Sequence, residues 1–101
     1  MDTSLGNRVE KAMQAAGIKA RSFAALVGCH YTTIYDLVKN PEVIPLRIMQ
    51  ERILDALDFL DDAVRNNRLP INDPKKGVAE KTKDLERMFQ QYKQKELSQS
   101  T

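Results

Sequence analysis

A chain of 101 residues with 42% apolar side chains is long enough for one modest core, and it carries no Trp and a single Cys. One Cys excludes an internal disulfide, as in a reducing cytoplasm, and no apolar run approaches the ~18 residues of a membrane span. Sixteen basic side chains set among fourteen acidic ones leave a net charge of +2, so any phosphate-binding face has to be local. Met1 is followed by Asp2 and an amphipathic stretch, and no secretory signal is expected there.

Apolar residues recur at helical spacing through the chain, with no convincing strand, so the expected fold is all-α with four to five helices. Leu5, Val9, Ala12, Met13 and Ala16 mark the first helix, and Gly17 is its stop signal. Two short helices follow, over 21–27 and 31–38, separated by Gly28. Asn40-Pro41 ends the second of these, because a residue before proline avoids the α region. Pro45 suits the first turn of the next helix. From there Leu46, Met49, Ile53, Leu57, Leu60 and Val64 form one stripe, widened by Ile48, Leu54 and Ala56, which predicts a single long helix to about residue 67.

The stretch NNRLPINDPKKG, residues 66–77, reads as a linker, in which Leu69 and Ile71 are the side chains able to staple it to a core. A helical pattern resumes over 78–97. The expected organisation is thus a domain over 1–68, a linker over 69–77 and an appended amphipathic helix over 78–101. Leu85, Met88, Phe89 and Tyr92 share one side of that last helix. A stripe so narrow cannot hold a lone helix in water, so it is expected to pack on the domain, a second copy or another protein. These four are the expected dimer or partner interface, and the core of the first domain is expected to be complete by about Val64.

The most informative segment is ARSFAALVGCHYTTIYDLVKN, residues 20–40. Ala24 stands where two helices would cross closely, Gly28 supplies a left-handed backbone, and Ile34 and Leu37 anchor the second helix from one side. The segment resembles the helix-turn-helix of the lambda-repressor-like (Cro/C1, XRE) family. The family's Ala, Gly, Ile/Val and Leu/Ile/Trp pattern falls on Ala24, Gly28, Ile34 and Leu37, with Phe23, Val27 and Cys29 in its other apolar slots. With its flanking helices the resemblance covers about 55 residues and none of the last third. It departs from the family at Lys19 and Ala20, where Ser/Thr then Gln usually stand, and at His30, where Ser or Thr usually precedes the recognition helix. Family members also commonly divide the region of the long helix into two.

With Ile34 and Leu37 inward, Tyr31, Thr32, Thr33, Tyr35, Asp36 and Lys39 are left to face outward. The resemblance places Tyr31, Thr32 and Asp36 where the family reads base edges, with Tyr35 beside them. Lys19, Arg21, Thr33, Lys39 and Arg47 are the candidates for phosphate contacts. It implies a dimeric transcriptional regulator on double-stranded DNA, a repressor of phage, prophage or plasmid type acting in the cytoplasm on an inverted-repeat operator. A reading of another class is an antitoxin or other protein-binding module that captures a partner through the last helix.

Other chemistry finds little support. Cys29 and His30 are the only thiol and imidazole, too few for a zinc site that needs about four ligands. Cys29 also occupies an apolar slot of the motif, which disfavours a Cys–His nucleophile. Asp55, Asp58, Asp61 and Asp62 read as a solvated helix face, and the glycines form no phosphate loop. No enzyme, metal or cofactor is expected.

Overall fold

The computed structural model describes residues 4–70 and 75–99. Within them the chain is all-α, with five helices: α1 Leu5–Ala16, α2 Ala20–Val27, α3 Tyr31–Lys39, α4 Arg47–Arg65 and α5 Val78–Gln99. None is long and apolar enough to cross a membrane. Ser4 caps α1, its hydroxyl accepting from the Asn7 amide at 3.4 Å, and Gly17 closes the helix in the left-handed region. α4 is one unbroken helix whose N-cap is Leu46, so Pro45 lies just outside it and not in its first turn. The Gln50 amide donates to the Pro45 carbonyl at 2.7 Å and ties that entry down.

α2 lies at the centre, packed on α3, α4 and α5, while α1 covers α3 and α4. Val9, Phe23, Ile34, Ile53, Phe59, Leu60 and Leu85 are the largest fully buried side chains. Each such aliphatic or aromatic group contributes roughly 1.5–3 kcal/mol through removal from water. α1 and α3 approach with almost no clearance: a Cβ built on Gly6 would stand 2.3 Å from the Leu37 carbonyl oxygen and 3.0 Å from Pro41 Cα. Any side chain there would force two backbones apart.

Of the three surfaces on which the last helix was expected to pack, the structure shows the first, the domain itself. Leu85 is fully buried and Phe89 is 4% exposed, both inside the one core, with Met88 and Tyr92 packed at its edge. Phe59 of α4 stacks against Phe89 and Tyr92 at ring separations of 5.1 and 5.7 Å. Of the four residues expected at a dimer or partner interface, Leu85 and Phe89 are thus buried within their own chain, and Met88 and Tyr92 are half-buried. The core is not complete at Val64, because α4 turns Phe59 and Ala63 toward α5. Ser22 makes the same point with a polar group. It is a buried residue of α2, and its hydroxyl lies 2.7 Å from that of Thr82 in α5. Thr82 gives its one proton to the Val78 carbonyl, so Ser22 is the donor of the pair.

The expected linker joins in as well. Leu69 is buried in the core, and Pro70 rests against Gly17, where a Cβ would meet the ring at 2.7 Å. Ile71, the other expected staple, lies outside the described residues. The buried side of α4 is shifted from the expected stripe: Leu46, Ile48 and Leu54 are exposed, and Phe59 and Ala63 are buried together with Ile53, Ala56, Leu57 and Leu60.

Candidate nucleic-acid interface

α2 ends at Gly28, whose φ of +86° is the left-handed conformation that glycine adopts without strain. The Gly28 and Cys29 amides both donate to the Ala24 carbonyl, at 2.8 and 3.1 Å, and the chain turns directly into α3. Ala24 is 2% exposed at the crossing, and Ile34 and Leu37 are buried beneath α3. This is a helix-turn-helix arrangement, and the inner face of α3 is fixed by the core.

His30 does the work usually given to Ser or Thr at the start of such a helix. Its Nδ1 accepts from the Thr32 amide at 3.3 Å and lies 2.9 Å from the Thr32 hydroxyl. The departure from the family pattern at this position is therefore a change of capping group, with the cap retained.

Thr32, Thr33, Tyr35, Asp36 and Lys39 are exposed along the outer side of α3. Tyr31 is different. It is half-buried against the core, with the Arg21 guanidinium 4.8 Å over its ring and Tyr35 meeting it edge-on at 5.8 Å. Its place is that of a platform, and Arg21 is held by a cation–π contact across the N-terminal end of α3. Lys19 stands exposed as the N-cap of α2. Arg47 is also exposed but leans on Glu51 at 3.5 Å, which lowers its share of any cationic surface.

Several cations escape a reading of the motif alone. Arg52 of α4 reaches the turn, its guanidinium 3.9 Å from where a Gly28 Cβ would be. Burial pushes the Cys29 thiol up, and the nearby Arg52 charge offsets this in part, so Cys29 stays neutral and acts as a packing group. α5 adds more. Lys81 shares a hollow with Lys19 beside the start of α2, and Lys83 and Arg87 line a groove with Ala25 and Leu26. No sequence signal links residues 81–87 to the motif, because only the docking of α5 on α2 brings them there. Among the described residues no group of three or more His, Cys, Asp or Glu side chains could hold a metal ion.

No family model matches the chain, and no curated protein or solved structure does either.

Proposed function

We propose that this protein is a sequence-specific DNA-binding regulator, similar in mode to lambda-repressor-like repressors, that lays α3 in the major groove. The observation that carries this reading is the two-sided character of α3. Its inner side is locked by Ile34 and Leu37, and its outer side offers Thr32, Tyr35, Asp36 and Lys39 with no covering element among the described residues. In this mode the Thr32 methyl meets a thymine, while Asp36 accepts from cytosine N4 or adenine N6. A carboxylate among phosphates adds little affinity, so Asp36 serves chiefly to reject wrong sequences. Arg21, Lys39 and the α2 N-terminus take the flanking phosphates. One such helix reads few base pairs, so the active species is a two-fold dimer on an inverted repeat, repressing transcription in a bacterial cytoplasm.

Selection of bound duplexes from a random pool tests the reading. A symmetric motif should emerge, and Thr32→Ala or Asp36→Ala should alter preference at one or two positions per half-site by about 1–3 kcal/mol. A pool that acquires no motif, or an Asp36 variant with the parent's preference at every position, argues against it. Partner capture by the last helix is a reading of another class; Leu85 and Phe89 are buried in the fold, while Met88 and Tyr92 are half-buried at its edge.

A further inference from the structure

α5 carries cations that the fold does not use. Lys83, Arg87 and Lys93 are exposed, and with Ala25 and Leu26 of α2 they line a groove of about 340 Å³. Among the described residues none of the three has a carboxylate within ion-pairing distance. Asp84, whose charge Arg87 also feels, is held by Lys76. Glu86 is the one acidic residue lining the groove. Leu26 and Phe89 beneath it are buried, so an apolar ligand has little to cover there, whereas an anionic chain meets three cations and one carboxylate.

We propose that this groove is a second track for duplex DNA, in which α5 takes backbone phosphates beyond the stretch read by α3. The proposal rests on the DNA-binding reading and lengthens its footprint. Continuity with the α3 surface favours duplex DNA as the occupant. Arg21 and Ala25 are both exposed, one turn apart on the same side of α2. Arg21 lies over the Tyr31 ring at the start of α3, and Ala25 borders Lys83 and Arg87. One exposed strip of α2 therefore joins the recognition helix to the α5 cations. The exposed aspartates Asp55, Asp58 and Asp61 are on α4 instead, and none of them lines this groove.

The cations are also held in place. The Ser22 and Thr82 hydroxyls are bonded, and Leu85 and Phe89 are in the core. α5 thus presents its charges without the ordering cost of a flexible tail. The spacing suits a duplex as well. α2 packs on both α3 and α5, and packed helices lie about 8–10 Å apart, so the α5 axis is at most about 16–20 Å from that of α3. Half of a ~12 Å major groove and a ~6 Å minor groove put the next backbone strand about 12 Å from α3, before the strand between them is counted. The α5 cations are thus in reach of the strand across the minor groove.

The salt dependence of binding to two duplexes tests this with the whole chain. One duplex ends at the base pairs that the parent protein selects, and the other continues for about one turn, ~10 base pairs, at each end. On the longer duplex the double substitution Lys83→Ala, Arg87→Ala should lower the slope of log affinity against log salt by about two. Affinity at about 0.1 M salt should fall by roughly tenfold or more, with base preference unchanged. On the shorter duplex parent and variant should bind alike. Glu86→Lys should instead raise the slope on the longer duplex by about one, a gain that a damaged fold does not produce. All three positions are exposed, so helicity and melting temperature should be retained. A parent with one slope on both duplexes, or a double variant with the parent's slope on the longer one, overturns the α5 track and leaves the α3 reading standing. A parent with no affinity for any duplex overturns both, and Lys83-dependent binding of polyglutamate by such a protein assigns the groove to an acidic protein segment instead.

Discussion

Replacing Phe89 by Ala tests whether α5 is part of the domain or an appendage. Phe89 is 4% exposed, tilted against Phe59 at 5.1 Å, with the Lys93 ammonium 4.4 Å from its ring centroid. Truncation removes the ring's burial and leaves a cavity between α2, α4 and α5, for which Phe→Ala changes typically cost about 3–5 kcal/mol. That is a large part of the ~5–15 kcal/mol that holds a domain folded. At roughly 4–8 °C per kcal/mol for a domain of this size, the melting temperature should fall by at least about 12 °C. Thermal unfolding followed by far-UV circular dichroism reads this directly, and it should remain one transition. Phe89→Leu, which keeps most of the apolar volume, should lose much less. Were α5 a separate helix, the same change would resemble a surface substitution, within about 0.5 kcal/mol. A shift of no more than about 2 °C would refute the shared core.

Gly6→Ala should destabilise by about 1–3 kcal/mol in chemical denaturation, because the new Cβ meets the Leu37 carbonyl oxygen at 2.3 Å. Helix propensity alone calls for a gain of up to ~1 kcal/mol, so the sign of the change decides between them. His30→Ala should lose about 1 kcal/mol through the missing cap on the Thr32 amide, and His30→Ser should restore most of it in the same assay. The Lys76 ammonium donates to Asp84 at 2.5 Å and holds its carboxyl below the usual carboxylate range. A folded value below the unfolded one means the contribution is present above the ordinary carboxylate pKa and is lost as pH falls through the folded value. The melting difference between parent and Asp84→Asn should therefore be largest near neutral pH and vanish in acid; a difference unchanged down to about pH 2 contradicts the contact.

The local parts of the fold are legible because each has a local cause. Gly17 and Gly28 stop helices by adopting positive φ, and the spacing of Ile34 and Leu37 defines the buried side of α3 without reference to any other element. The five helices fall close to where periodicity places them for the same reason. What periodicity cannot show is which apolar stripe meets which. Leu85 and Phe89 read as a stripe with no assigned partner, because the Phe59 and Ala63 surface that receives them lies 22 or more residues away on the far side of a polar segment. Ile48 and Leu54 look like core because they flank a real stripe, yet among the described residues nothing covers them. Gly6 gives no signal at all, since its constraint is the Leu37 backbone.

The candidate site divides in the same way. Thr32, Tyr35, Asp36 and Lys39 can be assigned to the outer side of a helix by counting residues from Ile34. That Tyr31 is a platform for Arg21, and that His30 caps the helix, depends on side-chain placement. Arg52, Lys81, Lys83 and Arg87 reach the motif only through the packing of α4 and α5 on α2.

Binding of duplex DNA by α3 and its surroundings is tested by the salt dependence of affinity for a fluorescent random-sequence duplex, followed by anisotropy. The association constant should fall linearly with salt on logarithmic axes, with a slope of about −0.9 for each phosphate neutralised. Arg21→Ala and Lys39→Ala should each reduce that slope by about one while leaving the fold intact. A protein with no salt-dependent affinity for duplex DNA, or variants that bind with the parent's slope, would contradict the account.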